Sequence, residues 1–311
     1  MYTITLTKGV PDFSEGAVSF DEDGHLERGK TPTVMNPNDE FALRAALQTK
    51  VRHGGTAAVM SMGPPGYGEI LQEAMRSVYA DELYLLSDRE MAAADTWATA
   101  ITLATGIEKV AEQREQPDLV FAGFKTADGE TGHTGPQACW CLDWPILTHV
   151  IALDVVEGTS TGNQNSRSSD DVDEEERTVR AKRLVEGDIE EIETVEAPLP
   201  AVIVTDPEFE PVYRRAEHRL THKDLREETT ERAKSHEDHL TTWDHADLNL
   251  DPDYIGLDGS PTIVSGVDPI PKPPSEREAT MVEPDDESRM GEVLDELLPY
   301  AEGGRAAAGG D

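Results

Sequence analysis

The densest set of chemically capable residues is the run Gly123, Phe124, Lys125, Thr126, Ala127, Asp128, Gly129, Glu130, Thr131, Gly132, His133, Thr134. Its glycines let backbone amides approach an anion closely, Thr131 and Thr134 offer hydroxyls, and a helix opening near Gly135 turns its positive end towards the loop. That combination suits a phosphate group, although a plain structural turn accounts for the glycines equally well. His133 could donate to a ligand oxygen. Asp128 and Glu130 read as acceptors for ribose hydroxyls or as ordinary loop acids, because no nucleophile or metal set accompanies them. His218 and His222, four apart, and His236 and His239, three apart, lie in a polar stretch and read as solvated surface histidines. The two cysteines, Cys139 and Cys141, are separated by one residue and point to nearly opposite sides of a helix, so they read as reduced thiols. Neither a P-loop nor a Gly-x-Gly-x-x-Gly turn is present.

For such a loop to meet partners, strands must deliver it to one end of a sheet. Strand-like and helix-like segments alternate through the first half, which predicts a doubly wound, mostly parallel α/β sheet covered on both faces. Tyr2 to Lys8, Thr56 to Met62, Glu82 to Leu86, Leu119 to Gly123, His149 to Val155 and Ala201 to Thr205 read as strands. Helices are expected from Asn36 as N-cap with Pro37 at the first position, and over Glu69 to Tyr79, Asp95 to Ile107 and Gly135 to Leu142. Glu15 to Arg28 reads as a hairpin, and Arg177 to Leu184 with Ile189 to Val195 as a β-hairpin excursion. In such a sheet, ligands bind beyond the carboxyl ends of the strands. Lys8 to Phe13, Met62 to Gly66, Asn36 to Asp39 and the Gly123 to Thr134 loop all fall there.

The division along the chain is a 1–213 α/β domain with an acidic insertion at 159–176, a polar helical and extended region at 214–274, and a 275–311 arm. That arm carries an apolar stripe, Met290, Val293, Leu294, Leu297 and Leu298, and a loose tail. The last third is too polar to bury a core of its own, which predicts that it wraps a partner.

The formal net charge is −36, with acid spread along the whole chain. A surface of this kind repels itself in dilute buffer and is screened in concentrated salt, so it reads as adaptation to high salt. Nucleic acid is an unsuitable partner for such a polyanion. No uncharged apolar run approaches membrane-spanning length, and the start has the pattern of a strand, so a cytoplasmic protein without membrane insertion is expected.

Six segments occur in the order of a known family: Lys8 to Asp12 (Lys-Gly-Val-Pro-Asp), Met35 to Glu40 (Met-Asn-Pro-Asn-Asp-Glu), Ser61 to Pro64, Asp128 to Gln137, Leu142-Asp143-Trp144-Pro145, and Leu199-Pro200-Ala201-Val202. Leu257-Asp258-Gly259-Ser260-Pro261-Thr262 is a weaker echo. Together they resemble the beta subunit of electron transfer flavoproteins, over about Tyr2 to Tyr213. The resemblance implies an adenine-nucleotide-binding, Rossmann-like fold and a heterodimer with an alpha subunit that holds most of the electron-carrying FAD. It also implies AMP, or in Fix-type and bifurcating relatives a second FAD, in this subunit. By position the nucleotide contacts fall on Leu6, on Asn36, Pro37, Asn38 and Asp39, on Met62, and on Gly123 to Thr134, with Phe13 near the partner-held flavin.

Asp39 and the Asp128-Gly129-Glu130-Thr131 loop look Fix-type, favouring a second FAD over AMP. Dehydrogenases and quinone-reductase-type acceptors are the implied redox partners. The family's Leu-Pro docking pair is missing from Asp206 to Leu220, so the redox partner does not carry over. The competing reading is an adenine-nucleotide-binding regulatory module without redox function.

Overall fold

The computed structural model describes residues 1–12, 32–157, 177–185, 191–213 and 215–263, and Arg289. Phe13, the Glu15 to Arg28 hairpin, the 159–176 insertion, the turn at Gly187-Asp188 and the stripe from Met290 to Leu298 lie outside the described residues. Met1–Val267 forms one compact unit; the unit Asp268–Asp311 contributes only Arg289 to the description.

The fold is α/β around one large, mostly parallel sheet. In chain order the elements are β1 (Tyr2–Leu6), β2 (Gly9–Pro11), β3 (Thr33–Met35), α1 (Asp39–His53), β4 (Thr56–Met62), α2 (Gly68–Val78), β5 (Glu82–Leu86) and α3 (Thr96–Gln113). They continue with β6 (Leu119–Ala122), α4 (Thr134–Leu142), β7 (Ile146–Glu157), β8 (Arg177–Val185), β9 (Glu191–Pro198), β10 (Ala201–Thr205), α5 (Ala216–Arg232) and β11 (Leu240–Trp243). The nine-stranded sheet has the order β11-β5-β4-β1-β6-β10-β7-β8-β9. Every pair from β11 to β7 is parallel, and β8 and β9 extend the sheet antiparallel. The β-hairpin excursion read from the sequence is therefore an edge of the main sheet.

Period-two alternation sorts the side chains between the two faces. Tyr2, Ile4 and Leu6 of β1, with Ala58 and Met60 of β4, join α3 and α4 in one core, which also takes in Trp243, Leu248 and Ile255. Ala57 and Val59 of β4 face the other way and pack with the buried faces of α1 and α2. Leu71 and Met75 of α2 are fully buried there, each worth roughly 1.5–3 kcal/mol of transfer free energy. Gly106 lets α3 lie close on the sheet: a Cβ there would sit 2.9 Å from Leu86 and 3.2 Å from Met60.

Several boundaries differ from the sequence reading: α3 runs on to Gln113 instead of stopping at Ile107, and β7 spans Ile146–Glu157 instead of His149 to Val155. The first strand stops at Leu6, and Gly9–Pro11 pairs instead with Thr33–Met35 in a separate ribbon. Helix α1 starts at Asp39 with Asn38 as its N-cap, two residues later than expected, because the side chain of Asn36 is bonded elsewhere. The stretch read as polar and helix-prone contains α5 and then β11, which pairs with β5 from Leu240↔Leu83 to Trp243↔Leu86. An ion cluster holds α5 to the domain: Asp81 accepts from Lys50 at 2.7 Å and from Arg232 at 2.8 Å.

Among the described residues no helix is long and apolar enough to cross a membrane.

Candidate functional site

After β1 the chain builds β4 and β5 on one side, then crosses to place β6 on the other. The strand order thus reverses between β1 and β6, the place where an open parallel sheet carries its ligand crevice, beyond the carboxyl ends of the strands. Three segments meet there: Lys8 just past β1, Asn36 to Asp39 at the start of α1, and the loop from β6 to α4.

Lys8 bridges two of them. Its ammonium meets the Asp128 carboxylate at 2.7 and 2.9 Å, while its backbone amide donates to Oδ2 of Asp39 at 2.8 Å. Asn36, wholly buried, donates to Oδ1 of Asp39 at 2.8 Å and to the Lys125 carbonyl at 3.0 Å, and accepts from the Ala127 amide at 3.1 Å. Asn38 donates to the same carbonyl at 2.9 Å. Asp39 is 5% exposed; burial pushes its carboxyl up to about 7, against the pull of the Asn36 and Lys8 donors and the Lys8 charge.

The loop is close-fitting at two glycines. A Cβ on Gly123 would sit 2.4 Å from Oδ1 of Asp39 and 2.8 Å from the Asn38 carbonyl carbon. Gly132 has φ +65°, and a Cβ there would come within 3.1 Å of the Phe124 carbonyl oxygen. Glu130 also has positive φ; its amide bonds Thr126 at 2.9 Å and its carboxylate lies 3.4 Å from Lys125. Phe124 packs against the His149 ring at 5.1 Å, and His149 lies 3.3 Å from Asp206.

Helix α4 then opens at Thr134 with no acid in its first turn and no side-chain cap from His133. A helix end in that state presents free amide donors and positive dipole to the crevice. The Thr131 and His133 residues are exposed and Thr134 half-buried, so their polar groups are accessible. Thr7 and Ser61, buried near the carboxyl ends of β1 and β4, have hydroxyls with no partner among the described residues. A phosphate-bearing group fits this donor-rich, glycine-lined loop.

The sequence-derived residues gather around the crevice, but not on equal terms. Pro37, Asn38, Lys125, Thr126, Ala127, Asp128, Gly129 and Glu130 are at least partly accessible, whereas Asn36 and Asp39 are buried behind the loop. The Leu6 side chain is buried in the α3/α4 core, with Met62 packed against it, so Leu6 can offer a ligand only its backbone. Residue type alone does not mark Lys8; its signal is a cation just past the first strand of an acidic chain. The His149 and Asp206 pair has no local signal, since His149 lies within β7 and Asp206 just past β10, 57 residues further along the chain.

A model of the electron transfer flavoprotein domain matches residues 23–237, more than half of the chain. The chain belongs to the electron transfer flavoprotein family. It is 34% identical over 267 residues to subunit CarD of the caffeyl-CoA reductase-Etf complex of Acetobacterium woodii, covering 85% of this chain and 86% of that protein. It is 33% identical to protein FixA of Azotobacter vinelandii, covering 92% and 89%. With the electron transfer flavoprotein subunit beta of Thermoanaerobacterium thermosaccharolyticum it shares 39% identity over 155 residues, 50% of this chain and 57% of that one. This is an electron transfer subunit of the flavoprotein beta or FixA type, in a flavin-associated family whose beta-type members imply an alpha-subunit partner.

Proposed function

We propose that the chain pairs with an electron transfer flavoprotein alpha subunit and holds, in the crevice between β1 and β6, the adenosine and first phosphate of a nucleotide. The observation that carries this reading is the Gly123 to Thr134 loop, fixed over the end of β1 and running into an uncapped, acid-free helix start. Backbone amides around Gly132 and the first turn of α4 bind the phosphate, helped by the Thr131 and Thr134 hydroxyls. Asp128, oriented by Lys8, and Glu130 accept from ribose hydroxyls. A bound flavin supplies the redox chemistry; this chain's residues bind, orient and exclude water.

The nucleotide is a second FAD rather than AMP. Asp39 and the Asp128 to Thr131 loop support this, as does similarity to FixA proteins and to CarD. Electrons then pass from a dehydrogenase-type donor to a quinone-linked or other acceptor, with two flavins allowing one donor to serve two acceptors. Phe13 is placed by resemblance near the flavin held by the alpha subunit.

The test is the flavin-to-heterodimer ratio after co-purification with the alpha subunit and added FAD. Two flavins are expected; one flavin with extractable AMP overturns the second FAD, and no flavin absorbance in the complex favours a nucleotide-sensing module without redox function. Gly132→Val should empty this site while leaving the alpha-held flavin bound, because the side chain meets the Phe124 carbonyl at a backbone angle that costs roughly 1–2 kcal/mol outside glycine.

A further inference from the structure

We propose that Asn36 and Asp39 are positioning residues whose side chains latch the Gly123 to Thr134 loop into its binding shape and do not themselves contact the ligand. The inference takes from the preceding reading only what the loop binds. A carboxamide has two donor hydrogens, and Asn36 spends both, on Asp39 Oδ1 and on the Lys125 carbonyl, while its oxygen accepts from Ala127. With the side chain wholly buried, nothing of it is left for a nucleotide.

Asp39 is equally committed. One oxygen takes Asn36, the other the Lys8 amide, so a single carboxylate ties the end of β1 to the start of α1. Asn36 carries that tie onward into the loop. Gly123 shows how tightly the parts close, since any side chain there would overlap Asp39 and the Asn38 backbone. The family motif Asn-Pro-Asn-Asp therefore divides its labour: Asn36 and Asp39 face inward to the loop's scaffold, and Pro37 and Asn38 remain nearer the solvent side.

The latch has a protonation state. The charged groups acting on Asp39 are Lys8, from the end of β1, and Asp128, from the loop after β6; these two are paired with each other. Burial raises the Asp39 carboxyl to about 7. Once protonated, the oxygen that takes the proton becomes a weaker, neutral acceptor with a hydrogen of its own to place beside an N–H donor, and the tie through that oxygen weakens.

The experiment uses the heterodimer with its alpha subunit, stripped of nucleotide in this subunit, and titrates AMP and FAD across pH 6 to 8. Hydrogen exchange of the loop is measured alongside. Asn36→Ala should accelerate exchange over residues 123–130 and weaken AMP by about tenfold or more at every pH, as expected for loss of buried hydrogen bonds, with the alpha-held flavin retained. Wild-type affinity should fall as pH drops through about 7, and Asp39→Asn should flatten that profile. Loop exchange and affinity within twofold of wild type in Asn36→Ala overturn the latch, as does an unchanged or inverted pH profile in Asp39→Asn. If Asn36→Ala does not assemble, the Asp39→Asn profile decides alone. A wild-type complex that binds neither AMP nor FAD, yet shows faster loop exchange in Asn36→Ala, supports the latch and defeats the nucleotide reading.

Discussion

Thr262 donates both its amide and its hydroxyl to Oδ2 of Asp95, at 3.0 and 2.6 Å, while Oδ1 of the same carboxylate caps α3 through the amides of Trp97 and Ala98. Ser260 completes the clasp by accepting from the Asp95 amide at 2.8 Å. The segment resembling a family motif at Leu257 to Thr262 is thereby fastened to the start of a core helix. Burial works against the Asp95 charge, but the donors from Thr262, Ala98 and Trp97 win and hold its carboxyl below the usual range.

Asp95→Ala should destabilise the domain by about 0.5–2 kcal/mol for the cap alone, and should loosen residues 257–262. Because the folded carboxyl is depressed, its contribution is present above about pH 4 and is lost as pH falls through the folded value. Urea midpoints at pH 7 and pH 3 check this: the gap between wild type and Asp95→Ala should shrink in acid.

The pairing of His245 with Asp88 fastens the far end of β11 to the end of β5. The His245 bond holds the Asp88 carboxyl down to about 2, and that same bond raises His245. The histidine's share is present below its unfolded value of about 6.5 and is lost as pH rises through the folded value; the aspartate's share is present above about 4 and is lost as pH falls towards about 2. Exchange protection over 240–248 should therefore peak between those limits and drop on either side. His245→Ala should remove the peak, and a flat wild-type profile would count against the pair.

Asp81→Ala should be among the costliest single changes outside the crevice. It strips the shared carboxylate from Lys50, 6% exposed, and from Arg232, leaving two cations facing each other. Breaking a buried pair costs about 3–5 kcal/mol, and the partial exposure of Asp81 places the expected loss at the lower end. Lys50 feels its burial already, which lowers its ammonium's affinity for the proton. Denaturant unfolding gives the loss directly.

The charge of −36 should make folding and assembly with the alpha subunit depend on salt. Screening shortens to about 3 Å at 1 M salt from about 10 Å at 0.1 M. Circular dichroism and sizing across a chloride titration should show structure and association lost as salt falls; invariance would remove the high-salt interpretation.

Much of this architecture could be read from the residue pattern, for identifiable reasons. Thr56–Met62 and Glu82–Leu86 are short apolar runs between turn signals, and a parallel strand buried on both faces has that appearance. Strand β11 escaped because Leu-Thr-Thr-Trp has two exposed threonines in a polar stretch, and only its pairing with β5 makes it a strand. The crevice was legible through Gly123 to Thr134, whose composition advertises an anion site. The burial of Asn36 was not, since a polar side chain facing inward is set by partners from 89 and 91 residues away. Asparagine before Pro37 has the look of a cap, and tertiary bonding moved the helix start to Asp39.

The late arrival of β11 also bears on how the chain is made. Residues 240–243 close the edge of β5, whose Leu83, Leu85 and Leu86 are buried in the finished fold. A ribosome adding about 5–20 residues per second leaves that edge uncovered for on the order of ten seconds after β5 emerges. During that interval the nascent sheet offers an open backbone ladder to any neighbouring strand. A transcript truncated before Leu240 should thus give insoluble product, even though the crevice between β1 and β6 is already encoded in full.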